Sequence, residues 1–447
     1  GRCTLIKART RQSCACVQHL HIVMNGSTDM SASVLDRPAA PSNRRRSQVI
    51  ALLFFTYFLT YLDRAIVASA IPFISKEFQL SSVESGAVLS AFFFSYAFMQ
   101  IPSGLLVDKF GPTRLLIGAA VGFSIFTALT GIVQSLTMLL VVRILFGISE
   151  GPAPAAVSKT VALWSVPEKL GRSNGIVLSG TLLGSACAPA FVTAIVLNWG
   201  WREAFLSLLA PGLLLAFAIY WMLGRAPSAQ LGRGRSASPS DGDTADTSWK
   251  VIFASRQMRW AFVAVILASC ANWGLQNWLP TYLLKARGFS VKEMGFFASA
   301  PYAAGAVGYF LGGYVGDRYF ASRRNVLILI CLFLAALGTF GAAVSATGGQ
   351  SVAFMTGAFL VLGMALSSLF TMPLILMPMG VAATAFGIVN TGAQISGFLS
   401  PILIGAVLDA SNQNFAMALY FVVWALVASG IAASRIGVGV GSQSAAV

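Results

Sequence analysis

The chain has 447 residues, of which 56% are hydrophobic, 11% aromatic and only 10% charged. An ordinary soluble domain is about 25% charged, which argues against a water-soluble enzyme, and a disordered chain could not keep this much apolar surface in water. Thirty Lys and Arg against fifteen Asp and Glu give +15, an excess that on a soluble protein points to nucleic acid but that here falls between long apolar runs.

Residues 1–47 are polar and hold no apolar run of signal-peptide length, so they read as a cytoplasmic tail. The first methionines are Met24 and Met30, and 1–23 reads as upstream of the native start or as a non-native remnant. Within it, Cys14-x-Cys16-x-x-His19-x-His21 has metal-ligand residue types with no fold around them, and no metal or other cofactor is expected. Six apolar runs follow at 48–73, 84–107, 114–133, 138–160, 173–197 and 202–223. A stretch rich in Ser, Gly, Ala and Pro comes next, and 225–257 reads as a flexible cytoplasmic linker. Six more runs occupy 258–284, 293–316, 325–345, 351–376, 384–408 and 414–434. Each is long enough to cross a bilayer, which takes ~20 residues. The expected fold is an all-α polytopic membrane protein of twelve transmembrane helices, with six-helix bundles at 48–224 and 258–435 and a tail at 436–447.

The loops alternate in charge. One set holds Arg44, Arg45, Arg46, Lys109, Arg114, Lys169, Arg172, Arg225, Arg233, Arg235, Lys250, Arg256, Arg259, Arg318, Arg323, Arg324 and Arg435. The other holds Lys76, Arg202, Lys285, Arg287 and Lys292. By the positive-inside rule both termini lie in the cytoplasm, and a bacterial inner membrane is the expected location. Trp199, Trp201 and Trp278 fall near outer span ends, where an aromatic belt is expected.

The halves repeat one another. Gly104-x-x-x-Asp108-Lys109 after the second run matches Gly313-x-x-x-Asp317-Arg318 after the eighth, an offset of 209. Gly175-Ile-Val-x-x-Gly180 with Pro189 matches Gly387-Ile-Val-x-x-Gly392 with Pro401, an offset of 212. Six spans per repeat is an even number, so the two pseudo-repeats are parallel, as in carriers whose halves rock about a midplane site. The loop Gly104-x-x-x-Asp108-Lys109-x-Gly111-x-x-Arg114 resembles the signature of the major facilitator superfamily, with Pro112 and Thr113 where basic residues are frequent. That resemblance implies the superfamily's twelve-helix fold. A carboxylate and basic groups at facing helix ends can form a latch made in one state and broken in the other. Asp108, Lys109 and Arg114 are therefore read as gating residues, with Asp317, Arg318 and Arg323 as the weaker counterpart.

Ionisable residues inside a span are costly and by default mark an ion or substrate path. Asp63 and Arg64 lie about fifteen residues into the first run, near the midplane at ~1.5 Å per residue. Tyr57, Tyr61 and Arg64 share a helix face, as do Arg143 and Glu150 in the fourth run. Gly151-Pro152-Ala153-Pro154 should distort the helix just after Glu150. Two buried structural ion pairs are one reading of the four charges. In the other, a carboxylate carries protons, since apolar surroundings favour its neutral form, while an arginine grips an anion with its planar fork.

Tyr61-Leu62-Asp63-Arg64, Arg143-x-x-x-Gly147-x-x-Glu150-Gly151-x-x-Pro154, and Gly387-Ile-Val-Asn390 through Gln394, Gly397 and Pro401 resemble the anion:cation symporter family over roughly 45–435. Its members move sugar acids, hexuronates, phthalate and other organic anions with protons. The resemblance implies that Asp63 and Glu150 are proton sites and that Arg64 is the substrate-carboxylate ligand. It makes Arg143 the modulator of Glu150 and places Tyr61 and Tyr96 against substrate. Gln394 stands where that family often has asparagine.

The second half has no embedded charge but offers neutral polar groups: Asn272, Gln276 and Asn277, then Ser367, Ser368 and Thr371, then Asn390 and Gln394. Gln276, Asn390 and Gln394 are taken as substrate-binding, although such groups also pin helices together. Cys187, Cys270 and Cys331 lie within spans as apolar packers, with no disulfide framework. His19 and His21 are the only histidines, so no catalytic triad forms in the membrane and no enzyme is expected. No phosphate-binding Gly-x-x-x-x-Gly-Lys-Ser/Thr occurs.

The expected function is proton-coupled symport of a small organic anion, such as a sugar acid, hexuronate or aromatic carboxylate, by alternating access. The expected partners are that anion, protons and the bilayer, with no nucleic acid, and the carrier is expected to be a monomer. A proton-coupled exporter or an anion exchanger of the same fold are the alternatives. From another class, a transporter-derived sensor or scaffold would have no reason to keep Asp63, Arg64, Arg143 and Glu150.

Overall fold

Apolar runs that carry their own hydrogen bonds become helices, the form a segment must take in lipid. A computed structural model describes residues 43–165, 169–224 and 252–436, all helix, turn and loop with no strand among them. The N-terminal tail through residue 42 with its Cys/His run, the linker residues 225–251 including Arg225, Arg233, Arg235 and Lys250, and the tail from 437 lie outside the described residues.

The first half contains α1 (Asn43–Phe78), α2 (Ser82–Phe110), α3 (Pro112–Thr130), α4 (Leu136–Glu150), α5 (Ala153–Trp164), α6 (Leu170–Trp199), α7 (Trp201–Leu206) and α8 (Leu209–Leu223). The second contains α9 (Arg256–Lys285), α10 (Val291–Arg318), α11 (Arg324–Val344), α12 (Gly348–Leu376), α13 (Met379–Ala410) and α14 (Phe415–Ser434). Two spans are built from broken helices. Pro152 has no N–H and interrupts the ladder between α4 and α5. The Gly151 carbonyl freed there accepts the Ser103 hydroxyl of α2 at 3.0 Å. The sixth span breaks between α7 and α8, just before Pro211. Eleven spans among the described residues are long and apolar enough to cross a bilayer. The twelfth, α10, has 28 residues, but glycine and tyrosine dilute its apolar content.

Local chemistry repeats with the halves. Ser81 and Glu84 close a capping box at the start of α2, and Ser290 and Glu293 close the same box at the start of α10. Those pairs are separated by the same 209 residues as the glycine–aspartate motifs. Gly111, in the turn between α2 and α3, has φ +82°, which a side chain would strain. Within the first half, α6 meets α1 at Gly180 and Gly184, where an added Cβ would strike the carbonyls of Phe54 and Phe58. Gly392, the repeat counterpart of Gly180, meets the Phe262 ring of α9, 2.8 Å from where its Cβ would stand. Small residues let helices approach where lipid supplies no hydrophobic drive.

The halves meet along α2 against α13 and α6 against α10, which are equivalent pairs in the repeat. At one end of this seam Asp409 reaches across to the start of α2, accepting from the Ser82 and Val83 amides at 3.0 and 2.9 Å. Gln413 donates to the Ser82 hydroxyl at 2.7 Å. The matching α6–α10 junction has one neutral bond, from Thr193 Oγ1 to the Val291 carbonyl at 3.2 Å. Nearby, the tryptophan expectation needs correcting. Trp199 is exposed, whereas Trp201 and Trp278 are buried. Their indole N–H groups donate to Glu77 at 2.8 Å and to the Pro401 carbonyl at 3.1 Å, so they tie spans together instead of facing the interface.

Replacing Gly184 with leucine should force α1 and α6 apart and lower stability by about 1–3 kcal/mol, the usual cost of overpacking. Gly175→Leu, on the same helix with nothing within 4 Å of its Cβ position, should be close to neutral. Thermal melting of the detergent-solubilised variants separates the two.

Candidate functional site

The helical repeat of α1 puts Tyr61 and Arg64 on one face and turns Asp63 away from it. The Arg64 guanidinium is surrounded by the rings of Tyr61, Phe92 and Tyr96, with its central carbon 4.6, 4.7 and 4.4 Å from their centroids. It points to the end of α4. There its Nε donates to Glu150 Oε1 at 2.6 Å, and Nη2 donates to the same oxygen. The side chains are 8% and 0% exposed. Both donors converge on Oε1, so Glu150 Oε2 has no hydrogen-bond partner. The break after Glu150 holds this carboxylate at a helix end, beside the kink that proline creates.

Two turns earlier on α4, Arg143 is buried, with Nη2 donating to the Thr130 hydroxyl of α3 at 2.9 Å and its guanidinium 4.8 Å from the Phe146 ring. Asp63 and Glu150 both lie within electrostatic range of it, while its Nε and Asp63 Oδ1 lack hydrogen-bond partners. Asp63 is itself 2% exposed. The four charges thus form a balanced cluster in which Arg64 and Glu150 are directly bonded, and Arg143 sits near both carboxylates.

A cavity opens beside this cluster at the seam between the halves. Tyr61, Arg64 and Arg143 line it from the first half, and Trp273, Gln276 and Tyr302 from the second. Asp63 and Glu150 do not reach its wall, so the arginines stand between the cavity and the carboxylates. Gln276 donates to Asn272 Oδ1 at 2.9 Å, and Tyr302 donates to the Gln276 carbonyl, fixing that wall. Trp273 stacks edge-on against Phe93 of α2, 4.6 Å between centroids, joining the two walls.

Other predicted residues sit elsewhere. Tyr96 packs against the Arg64 guanidinium without lining the cavity. Asn390 and Gln394 on α13 do not line it either; Gln394 is buried with Oε1 unpartnered. Ser368 donates to the Gly312 carbonyl at 3.4 Å and Thr371 accepts from Arg324 at 2.6 Å, so in that span the polar groups pin helices. The two aspartates expected to gate have partners that sequence spacing did not single out. Asp108 pairs with Lys159 of α5 at 2.6 Å, and Asp317 pairs with Arg324 of α11. Lys109 lies over the neighbouring Phe110 ring, and Arg318 lies over Tyr319. Arg114 is exposed. Tyr302 and Thr130 were missed. Each is a lone polar group in an apolar run, a pattern that also describes every ordinary helix-pinning residue.

The Major Facilitator Superfamily profile matches residues 53–401. A probable sulfoacetate transporter of Cupriavidus necator is 31% identical over 388 residues, covering 83% of this chain and 89% of that protein. A probable L-galactonate transporter of Escherichia coli is 28% identical, covering 84% and 86%. A hexuronate transporter of Bacillus subtilis is 26% identical, covering 81% and 88%. Among solved structures, an inward-facing, unoccupied bacterial homologue of the human lysosomal transporter Spinster superposes with a TM-score of 0.78. It is 18% identical and covers 89% of this chain and 98% of that one, a likeness of fold.

Removing one member of a buried pair leaves the other charge uncompensated, at a cost of about 3–5 kcal/mol. Arg64→Ala should therefore lower the melting temperature clearly, and Arg64→Ala/Glu150→Gln should recover most of the loss. Additive losses in this double-mutant cycle would show that the two groups are not energetically coupled.

Proposed function

The chain belongs to the Major Facilitator Superfamily, and from that footing we propose that it is a proton-coupled symporter for a small organic anion, such as a sugar acid, hexuronate or aromatic carboxylate. It is a multi-pass membrane protein, and its relatives are named as transporters of organic acids. The observation that carries the reading is that Arg64 lines the cavity while its guanidinium is bonded to Glu150 behind it.

One guanidinium with two claimants supplies a coupling rule. With Glu150 ionised, Arg64 is held by an internal carboxylate and has little to offer an anion in the cavity. A proton on Glu150 removes that charge, and the fork turns its full strength to a substrate carboxylate. The anion then binds with the proton, and losing either weakens the hold on the other. Arg143 and Asp63 supply a second base and a compensating cation next to the first pair, and Asp63 is the second proton site. Gln276, with Tyr302 fastened behind it, and Asn277 face the rest of the substrate, their amides matching hydroxyl or carbonyl groups. The halves rock about the site, with Asp108–Lys159 and Asp317–Arg324 at the end that carries most of the basic loops. That end faces the cytoplasm, with both termini, in a bacterial inner membrane, and the carrier works as a monomer. Asp409 and Gln413 then close the outer side, so the conformation described is shut to the outside.

Uptake into proteoliposomes of a panel of sugar acids, aromatic acids and short hydroxy acids tests the reading. At least one acid should accumulate when a proton gradient points inward, and accumulation indifferent to the gradient would overturn the coupling. Glu150→Gln should abolish uphill uptake and leave exchange largely intact, whereas Arg64→Ala should abolish both. Normal transport by Arg64→Ala would remove the anchor assigned to the anion.

A further inference from the structure

A second polar cavity lies at the same seam near the Asp409 end. Ser75 of α1, Ser82 and Ser85 of α2, Thr281 and Lys285 of α9, and Gln413 line it. The helix faces that line it also line the main cavity. Along α1, Arg64 and Ala68 of the inner cavity are continued by Ile71 and Ser75 of the outer one at steps of three and four. Along α2 the sequence is Phe92, Leu89, Ser85 and Ser82, and along α9 it is Asn277, Thr281 and Lys285. The two cavities follow one another along these three helices, and where they adjoin, Ile71 on the outer wall and Val88 on the inner wall are both buried.

The outer compartment has an unmet polar demand. Thr281 is only 3% exposed, and its hydroxyl has no hydrogen-bond partner. A serine or threonine in a helix usually donates to a carbonyl three or four residues back, as Ser75 and Ser85 do here. A buried hydroxyl left without a partner costs free energy until something supplies one. One turn further out Lys285 forms no ion pair among the described residues. The nearby acids are occupied. Asp409 accepts from the Ser82 and Val83 amides and from Gln413, and Glu84 accepts from the Ser81 amide and hydroxyl. What remains for a ligand is one ammonium, one free buried hydroxyl and a wall of serines. That set suits the acid group of a singly charged carboxylate or sulfonate, and it lacks the second cation that a phosphate dianion would favour.

We infer that this outer cavity is a docking site for the acid group of the transported anion, with Lys285 and Thr281 as its ligands. The inference rests on reading the chain as an organic-anion uptake carrier. The anion waits beside Ile71, outside Val88, while the Asp409 latch is closed, and passes inward to Arg64 when it opens. An ammonium at the rim of a binding path acts chiefly on capture.

The test is the concentration dependence of proton-driven uptake in right-side-out vesicles in chloride-free medium, with D-glucuronate, D-galactonate and sulfoacetate as probes. Lys285→Gln should raise KM by about 5–10-fold with kcat within about twofold, as expected for a charge that assists capture. Thr281→Val should raise KM by about threefold, since it removes one hydrogen bond. Lys285→Arg should behave as the unaltered protein. Lys285→Cys should regain its KM after external aminoethyl methanethiosulfonate, which restores a positive charge, and not after the sulfonatoethyl reagent. An unchanged KM in Lys285→Gln, or rescue by both reagents, would overturn the site while leaving the carrier reading intact. Absence of uptake of every probe by the unaltered protein would overturn both.

Discussion

The Arg64–Glu150 pair is the interaction on which the rest of the arrangement turns. Two full charges at bilayer depth are tolerable only if each meets the other with good geometry and the remaining polar atoms are satisfied. Here the geometry is lopsided. Two guanidinium N–H groups share one carboxylate oxygen, and the other oxygen is left bare. Three aromatic rings pad the cation, so Arg64 keeps favourable surroundings even when its acid partner is neutral. A pair built for stability alone would close both oxygens. The bare oxygen is what the proposed exchange of partners would use.

The surrounding packing fixes the pair in place. The Gly151-Pro152 break ends α4 at Glu150, and Ser103 takes up the carbonyl that the break frees. Gly180 and Gly184 bring α6 onto α1, and the site-bearing helix is thereby fixed against the rest of its half. The second half presents amides and a tyrosine across the cavity, with no charged residue among those that line it. The seam is asymmetric. One junction is tied by a carboxylate seated on two helix-start amides, and its repeat counterpart is tied by a single neutral hydroxyl bond. The repeat doubles the scaffold, while the chemistry is confined to one copy and one junction.

Much of the fold was legible in the chain because lipid permits few solutions. Length and hydropathy marked the spans, the run at 293–316 among them, and the recurrence of the Gly104 motif at Gly313 paired that run with the second. The Pro152 break was legible because Gly151-Pro152-Ala153-Pro154 sets two prolines, each without an N–H, within three residues after a glycine. The tryptophans were misread: an indole at a span end can face lipid or tie helices, and Trp201 and Trp278 found Glu77 and Pro401. Lys159 and Arg324 were passed over as partners of Asp108 and Asp317 because those contacts join separate helices, and no spacing rule connects them.

The sequence by itself determined the all-helical membrane architecture, the parallel repeat and the four embedded charges, since each follows from composition, period or motif along a single segment. Which arginine meets which carboxylate was decided only in three dimensions. Arg143 shares a helix face with Glu150, yet Arg64, 86 residues away, holds it. Likewise Asn390 and Gln394 resembled binding residues, but the helix packing put Tyr302 and Trp273 on the cavity wall and left those two off it. A chain states which groups it carries into the membrane, whereas their pairing depends on how helices rotate and cross, and that is set by the summed contacts of all the spans.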